Sequence, residues 1–398
     1  MSTALNVKKG AGLGYKTYGF VSDKNTSEFY IAVEAPYTND KSFSFQLKAL
    51  SARYLSALKA SGLAAGAASY IAVFTKSDKS DKEILSLLHL TNAPVTVIRQ
   101  ASLSKAGVSL IAYCVKLPPG SHGRKISYRV AGTKNSCYIT RLKNYSYLWS
   151  LNLNDLRKNS CFDAFLQTSY IFRQLQEDLR KNKATLANNL LRTWVYVDDL
   201  YANYMKMTRS RAKVFSEEKL TSASHFVAST GIGGKIGNAP GTTVSLNALS
   251  VIGIKKDQVT YLRPQNAMCP AYKYNVTFER GSKISYGDRA HILISGTASI
   301  NRLGDVVFAN DISKQTNHAL YNIKAVLKSG NGSLKDLTFL IIYVKYAKDA
   351  TKVRKIVNGL FPDTPCVFLR APICRKEWLV EIEGVAILRE NNRKFLPF

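Results

Sequence analysis

The amino-acid sequence predicts an α+β fold built from two similar units, in each of which helices cover one face of a mixed sheet. Three observations support this prediction. The chain has 398 residues, enough for two domains that each bury a core. Segments with the periodicity of a strand alternate with segments that have the periodicity of a helix. Part of the first half can also be aligned with part of the second, which indicates an internal repeat.

The first half alternates between the two periodicities. Two short strands are predicted within residues 15–35 and a helix over 45–60, where apolar residues recur at helical spacing. There follow a strand at 69–74, a helix that begins near Ser80, and strands at 95–99 and 107–115. Residues 118–135 are rich in Gly, Pro, Ser and Lys and are predicted to form a loop.

The clearest amphipathic helix is predicted over residues 160–187. It is interpreted as a connector, so that the chain divides into an N-terminal unit (1–155), a connecting helix (156–190) and a C-terminal unit (191–398). The C-terminal unit is predicted to contain strands at 192–197, 243–253, 290–296 and 337–345, helices at 200–218, 312–329 and 349–360, and a final pair of strands within 365–388.

The internal repeat aligns residues 49–115 with residues 319–386. Residues 71–74 then lie on 341–344, and both copies have the order helix, strand, helix, strand, strand. In this alignment Glu381 and Glu383 lie opposite Leu110 and Ala112. The two acids are therefore expected to belong to a site that only the second copy carries.

Composition narrows the classes of function. With 56 Lys and Arg against 27 Asp and Glu, the net charge is +29, which raises nucleic acid, acidic membranes and small anions as partners. The cations are scattered along the chain, which favours an ordinary solvated surface. Six cysteines without a C-x-x-C spacing indicate a reduced, cytoplasmic protein, and the first residues carry no secretory signal. The histidines show no metal-ligand spacing.

The strongest candidate site lies in the last strand. Glu381 and Glu383 share one face of an otherwise apolar strand, and Cys374 and Arg375 lie just upstream. A carboxyl group between apolar walls and beside a second acid keeps its proton to higher pH, so it can donate that proton near neutrality. The alternative interpretation is a surface strand whose acids face water.

Two further segments are candidates for binding an anion. The turn around Ser295, Gly296 and Thr297 follows a strand and could offer backbone N–H groups, although a tight turn explains it equally well. Residues 271–280 bring together phenols and cations that suit an anion with a ring, or form an aromatic edge strand: Tyr272, Lys273, Tyr274 and Arg280. The glycine-rich segment 229–241 lacks the ending of a P-loop and is interpreted as a loop.

The order of several motifs resembles the chorismatase family, which includes chorismate-hydrolysing enzymes and 3-hydroxybenzoate synthases. The motifs are R-T-W-V-Y (192–196), Y-x6-R-x3-F (204–215), A-S-T-G-I-G (228–233), A-Y-K-Y (271–274), S-G-T-A-S-I (295–300) and I-C-R-x3-L-V-E-I-E (373–383). The resemblance covers about residues 190–388. The C-terminal half is similar to the Rid (YjgF) superfamily, so the resemblance implies two Rid-like, chorismate mutase-like α/β sandwich units.

The resemblance implies a substrate, a reaction and roles for the candidate residues. The substrate is chorismate, whose enolpyruvyl ether is split into pyruvate and a C7 ring acid without a cofactor. It implies a proton donor at Glu381 or Glu383 and substrate binding by Arg375, Tyr272, Lys273, Tyr274, Arg280, Ser295, Gly296 and Thr297. Gly296 and Cys374 stand where the aromatic-forming members have a glycine and a cysteine, which favours 3-hydroxybenzoate as the product.

Other functions remain open at this stage. A dihydrodiol-forming chorismate hydrolase is one alternative. A Rid-type imine deaminase is another, although the P-x-R of those proteins is replaced here by Pro365-Cys366-Val367. A non-catalytic protein that binds anions or RNA is the third, and an aromatic and basic stripe on one face would favour it. The main prediction includes no nucleic-acid partner, no membrane and no metal, and either a monomer with an internal repeat or a small homo-oligomer.

Overall fold

The computed structural model describes residues 5–37, 42–118, 125–129, 136–157 and 163–398. Within these ranges the strands form three mixed sheets, each covered by helices. The predicted α+β class is therefore confirmed. Part of the predicted loop at 118–135 lies outside the described residues, and within the part that is described Lys125–Arg129 is a strand.

The first sheet has the strand order β1-β2-β3-β7-β4-β5. Its unit contains, in chain order, β1 (Leu5–Gly12), β2 (Tyr15–Ser22), β3 (Ser27–Glu34), α1 (Phe43–Ala60), β4 (Ala68–Thr75), α2 (Asp81–Leu87), β5 (Val95–Ile98), β6 (Ala101–Ser102) and β7 (Val108–Lys116). The short strand β6 leaves its own unit and pairs with the edge of the third sheet. This pairing ties the first unit to the third.

The second sheet has the order β12-β11-β13-β10-β9-β8. Its elements are β8 (Lys125–Arg129), β9 (Ser136–Arg141), β10 (Ser146–Asn154), α3 (Ala164–Lys181), α4 (Leu186–Asn189), β11 (Leu190–Val197), α5 (Leu200–Glu217), β12 (Ala228–Gly233) and β13 (Val244–Ile252). This sheet takes strands from both sides of the predicted connector at 156–190, and α3 packs against β10 and β13. The amphipathic pattern located the helix but could not show which sheet it covers.

The third sheet has the order β14-β15-β16-β19-β17-β18-β6. Its elements are β14 (Val259–Leu262), β15 (Gly281–Ser285), β16 (Arg289–Ala298), α6 (Ile312–Ser329), β17 (Leu337–Val344), α7 (Ala350–Leu360), β18 (Cys366–Arg370) and β19 (Val380–Arg389). The predicted helices at 312–329 and 349–360 are present within about a residue. The final strand pair is β18 and β19.

The same strand order thus occurs three times along the described chain. In each unit three antiparallel strands are followed by a helix, a strand, a second helix and a parallel strand, and the last strand returns to the middle of the sheet. The predicted repeat between the first and last units is present, and a third copy lies between them. Its sequence diverges too far from the other two for the alignment to have revealed it.

The register of the strands corrects the predicted alignment by one residue. The amide of Ile71 donates to the carbonyl of Pro94 (2.8 Å), and the amide of Leu340 donates to the carbonyl of Pro365 (3.1 Å). Ile71 therefore matches Leu340 rather than Ile341. A bulge at the start of each strand, between Ala68 and Tyr70 and between Leu337 and Phe339, gives the same correspondence.

The counterparts of the two acids change accordingly. Ser109 pairs with Phe74 in the first unit, as Glu381 pairs with Tyr343 in the third. The counterparts of Glu381 and Glu383 in the first unit are therefore Ser109 and Ile111, and the predicted counterparts Leu110 and Ala112 are wrong by one residue. The middle unit has Ser245 and Asn247 at the same positions. The third unit is the only one of the three with carboxylates at these described positions.

The helices cover one face of each sheet, and the opposite faces meet in the interior. The helix-covered cores are apolar, as where Leu47, Leu50 and Tyr54 of α1 pack with Val73 and Leu110. The interior between the sheets is aromatic, and the Tyr70 ring stacks on Trp149 with centroids 4.4 Å apart. Burial of these rings is the main force that joins the three units.

A polar network closes the junction between the units. Glu28, Tyr147 and His291 occupy equivalent positions in β3, β10 and β16. Glu28 accepts from Arg289 Nη1 (2.8 Å) and lies 2.8 Å from His291 Nε2, while His291 Nδ1 lies 2.9 Å from the Tyr147 hydroxyl. Burial alone would raise the pKa of Glu28, but His291 and Arg289 lower it to about 2.

Candidate active site

A cavity of about 150 Å³ lies between the second and third sheets. The edge strand β12 approaches β16 here, and the Ser229 amide donates to the Ser295 hydroxyl (2.9 Å). The cavity combines cations, aromatic rings and one carboxyl group: Tyr204, Met205, Arg211, Ser229, Gly231, Tyr274, Val276, Phe278, Arg280, Gly296, Ala298, Cys374, Arg375, Trp378 and Glu381. The site therefore exists only where two units meet.

Glu381 presents its side chain to this cavity from β19. Its neighbours Val380 and Ile382 are fully buried, and Glu381 itself is 5% exposed. Its carboxyl group forms no hydrogen bond with another described residue. Burial, and next the negative charge of Glu383, raise the pKa of Glu381 to about 8, against the opposing effect of Arg192 and Arg280. Glu381 is therefore mostly protonated at neutral pH and can serve as an acid.

A bulge in β16 makes room for this carboxyl group. The register between β16 and β19 shifts between Ile294 and Thr297, so Gly296 lies directly over Glu381. A Cβ atom at position 296 would overlap Glu381 Oε1. The Gly296 amide donates to the Thr230 hydroxyl (3.0 Å), which fixes the bulge against β12. A glycine is required here for space rather than for an unusual backbone angle.

Glu383 is held in a different way. Its oxygens accept hydrogen bonds from the Arg192 guanidinium and the Thr230 hydroxyl, from Trp194 Nε1 (3.0 Å) and from the Tyr343 hydroxyl (3.0 Å). It is 2% exposed and faces the aromatic interior, and it does not line the cavity. These hydrogen bonds hold the Glu383 carboxyl group in place, away from the cavity in which a ligand would bind.

Two buried arginines line the cavity beside Glu381. Arg211 of α5 donates from Nε to Thr277 (3.0 Å) and from Nη1 to Ser229 (3.2 Å). Arg280 donates from Nε to the carbonyl of Cys269 (3.2 Å) and from Nη2 to the same carbonyl (2.5 Å). All of these partners are neutral. Both guanidinium groups therefore keep an uncompensated charge that suits a carboxylate ligand.

Arg375 supplies a third cation, placed among aromatic rings. Its guanidinium carbon lies 4.9 Å from the ring centroid of Tyr274 and 4.9 Å from that of Trp378. Its Nη1 donates to the carbonyl of Gly304 (2.6 Å). The Tyr274 hydroxyl in turn accepts from Arg280 (2.7 Å). Tyr274 thus orients two of the three arginines around one space.

Cys374 lies next to Glu381 and Tyr204 as a neutral thiol. Burial, and next the Glu381 carboxyl group, raise the pKa of Cys374 to about 12. Burial likewise raises the pKa of Tyr204 well above its usual value, and Cys374 adds to this effect. A thiol in this state is not an activated nucleophile. It offers bulk and a weak hydrogen-bond donor close to the acid.

The structure separates the residues predicted for the site into two groups. Those that line the cavity are Tyr274, Arg280, Gly296, Cys374, Arg375 and Glu381. Those that do not line it are Tyr272, Lys273, Ser295, Thr297 and Glu383. Lys273 is solvent-exposed, because its short helical turn directs it away from the cavity. The hydroxyls of Ser295 and Thr297 donate to the backbone carbonyls of Glu279 and Ser295, so they serve the bulge.

Several lining residues were not assigned to the site from the sequence, among them Arg211, Tyr204 and Trp378, although the first two belong to the motif Y-x6-R-x3-F. Arg211 had a detectable signal, because it falls on the buried stripe of α5 between Met207 and Phe215. A charged residue on such a stripe needs a polar partner or a ligand. Tyr204 lies on the same stripe, seven residues earlier. Trp378 had no such signal, since a tryptophan is ordinary in a core.

In the described part of the chain, no group of three or more His, Cys, Asp and Glu side chains is placed to hold a metal ion. No helix among the described residues is long and apolar enough to cross a membrane.

Comparisons with known proteins place this architecture. Residues 282–388, from β15 to β19, match the family described as Endoribonuclease L-PSP. A crystal structure of chorismatase superposes with a TM-score of 0.62, covering 91% of this chain and 99% of that chain at 17% identity. The chain therefore has the fold of a chorismatase, and its last unit contains an L-PSP (Rid) domain.

A curated relative gives a closer comparison. The 3-hydroxybenzoate synthase of Streptomyces hygroscopicus is 28% identical over 220 residues, which cover 50% of this chain. The match spans 64% of that relative's length. Together with the fold, it confirms the resemblance to the chorismatase and 3-hydroxybenzoate synthase family that the order of motifs predicts.

Proposed function

We propose that this protein is a chorismatase-type enzyme that cleaves the enolpyruvyl ether of chorismate. The observation that carries the proposal is Glu381, a buried carboxyl group whose pKa is raised to about 8, in one cavity with three arginines. Chorismate has two carboxylates and a ring, which such a cavity can bind. Its enol ether can be protonated on carbon, which requires a neutral acid.

The reaction begins when Glu381 donates its proton to the methylene carbon of the enolpyruvyl group. The ether carbon then carries positive charge, shared with its oxygen. In hydrolysis, water adds to the ether carbon, and the resulting hemiketal breaks the bond between that carbon and the ether oxygen, so pyruvate is released and the ring keeps the oxygen as a hydroxyl. In the route to 3-hydroxybenzoate, the neighbouring ring hydroxyl instead displaces the ether oxygen from its ring carbon, pyruvate leaves with that oxygen, and the ring loses a proton and becomes aromatic. The Glu381 carboxylate, which stabilises the cation while it exists, finally takes a proton back. Conversion to 3-hydroxybenzoate consumes no net water, whereas hydrolysis to the dihydrodiol consumes one molecule.

The arginines divide between binding and orientation in this proposal. Arg211 and Arg280 are buried on neutral partners, so a substrate carboxylate would provide the missing negative charge. Arg375 is half-buried and stacked between Tyr274 and Trp378, and it would hold the second carboxylate nearer the entrance. A planar ring between these groups would contact Phe278 and Tyr204, which also line the cavity.

We propose 3-hydroxybenzoate as the product, with the dihydrodiol as the alternative. The support is Gly296 over the acid, Cys374 beside it, and the similarity to a 3-hydroxybenzoate synthase that is 28% identical. Cys374 stays neutral and fills space next to Glu381, which would restrict where water can approach the ring. The predicted cytoplasmic location remains a prediction.

The proposal is tested by incubating purified protein with chorismate and measuring pyruvate with a coupled dehydrogenase. Release of pyruvate above the spontaneous rate is expected. No release above that rate would overturn the proposal. Chromatography of the same mixture distinguishes 3-hydroxybenzoate from the dihydrodiol. A Cys374→Ala variant is expected to release pyruvate but to change the ratio of the two products.

A further inference from the structure

A stripe of alternating cations and aromatic rings lies on the surface outside the candidate active site. Its members, in order, are Lys348, Tyr346, Lys345, Tyr201 and Lys376, and we call them the basic-aromatic stripe. The ammonium of Lys348 lies 5.7 Å from the Tyr346 ring centroid, and that of Lys345 lies 5.1 Å from Tyr346 and 5.9 Å from Tyr201. The ammonium of Lys376 lies 5.8 Å from Tyr201.

The stripe is accessible and its charge is uncompensated. Tyr201 and Tyr346 are each 42% exposed, so both rings are accessible to a ligand. A surface hollow beside them is lined in addition by Lys76 and Arg370. Across the described residues, no ion pair joins any of these cations to an acid: Lys76, Lys345, Lys348, Arg370 and Lys376. Cations that form no ion pair are available to an anionic ligand.

The stripe is a product of the three-unit architecture. Lys76 follows β4 and Lys345 follows β17, so they occupy equivalent positions in the first and third units. Asp198, at the equivalent position after β11, is paired with Lys235 (3.4 Å). The first turn of α5 adds Tyr201 from the second unit. No single unit could assemble this surface.

We propose that the basic-aromatic stripe binds single-stranded nucleic acid, with bases stacked on Tyr201 and Tyr346 and phosphates against the lysines. The alternation of rings and cations in these contacts resembles the alternation of bases and phosphates along a strand. A duplex hides its base faces and could use only the charges. The proposal departs from the expectation that the chain has no nucleic-acid partner. It does not depend on the proposed cleavage of chorismate.

Fluorescence anisotropy with labelled uridine and thymidine dodecamers tests the proposal. Binding of either single strand, tighter than that of a duplex of the same length, is expected, and the two oligomers distinguish RNA from DNA. The triple variant Lys345→Gln/Lys348→Gln/Lys376→Gln should lower the slope of log K against log salt by about 2. The matched control, Lys324→Gln/Lys328→Gln/Lys335→Gln, removes the same charge from exposed positions on and near α6. It should bind almost as the parent does.

The tyrosines give a second and independent readout. The variant Tyr201→Ala/Tyr346→Ala should lose about tenfold or more in affinity while the salt slope stays unchanged, because stacking does not release counterions. Equal binding of duplex and single strands, equal loss in the control lysine variant, or full affinity without the tyrosines would each overturn the proposal. Thermal unfolding of each variant checks that the fold is retained.

Discussion

Glu381 and Glu383 lie two residues apart on one face of β19, yet only Glu383 is surrounded by hydrogen-bond donors. Arg192, Trp194 and Tyr343 all reach Glu383, and none of them reaches Glu381. The fixed charge of Glu383 then helps to keep the proton on Glu381. In the proposed reaction each acid therefore has a distinct part, Glu381 as the proton donor and Glu383 as the negative charge behind it.

The pH dependence of the reaction follows from this difference. In the proposed reaction Glu381 acts in its protonated form, and its pKa is raised to about 8. The value of kcat/KM for chorismate should therefore be roughly constant between pH 6 and 7 and fall as pH rises through about 8. Steady-state rates across a buffer series of constant ionic strength measure the pH at which kcat/KM falls. A fall in kcat/KM near the usual pKa of a glutamic acid would contradict the assignment of Glu381 as the proton donor.

The close approach of Gly296 and Glu381 gives a second prediction. Gly296→Ala places a methyl group where Glu381 Oε1 lies, so the carboxyl group must move. Activity should fall at least about a hundredfold, since misplacement by an ångström is costly in a positioned site. Gly359→Ala is the control, because a Cβ there meets nothing within 4 Å. Equal activity of the two variants would show that the acid does not need its observed position.

At the scale of secondary-structure elements, the site depends on four strands. Strand β19 carries both acids, β16 opens its bulge over Glu381, and β11 and β17 bring Arg192 and Tyr343 to Glu383. Glu383→Gln should move the alkaline limb of the pH profile below 8, because it removes a negative charge and frees the charge of Arg192. If Glu383→Gln has the circular dichroism spectrum of the parent and an unchanged alkaline limb, the charge of Glu383 does not raise the pKa of Glu381.

Much of this local structure can be predicted from the sequence. The parts that cannot be predicted depend on chain geometry and on contacts between distant residues. Periodicity located α6 and the strands around Glu381, because their apolar patterns are regular. Lys273 was assigned to the site from its neighbours in sequence, but only the chain geometry shows that its short turn directs it into solvent. The separation of Glu381 from Glu383 depends on partners nearly 200 residues away, which no local pattern encodes.

At the scale of the whole molecule, three units of one topology surround an aromatic interior. The division of the chain predicted from sequence placed α3 as a connector, because a helix pattern carries no information about its sheet. The predicted repeat was real but covered two of the three copies. The divergence of the middle unit shapes the cavity, since its β12 and α5 supply Ser229 and Arg211 beside Glu381.

The junction of the three units should depend on the ionised form of Glu28. Its pKa is lowered to about 2, so its contribution to stability is present above its unfolded pKa of about 4.5 and is lost as pH falls towards 2. Glu28→Gln should lower the free energy of unfolding by about 3 kcal/mol at pH 7, because Arg289 loses one of its two acidic partners. Chemical denaturation at pH 7 and pH 3 should show this difference shrink. A difference independent of pH would contradict the role of the charge.

The most direct test of the central claim compares chorismate-dependent pyruvate release by the parent protein, Glu381→Gln and Glu377→Gln. Glu377 is exposed and lies four residues from Glu381, so its variant makes the same chemical change outside the cavity. Glu381→Gln should lose at least about a thousandfold in rate and, because it removes a buried acid, should unfold at a temperature no lower than the parent at pH 8. Glu377→Gln should retain full activity. Full activity in Glu381→Gln would contradict the account of this site.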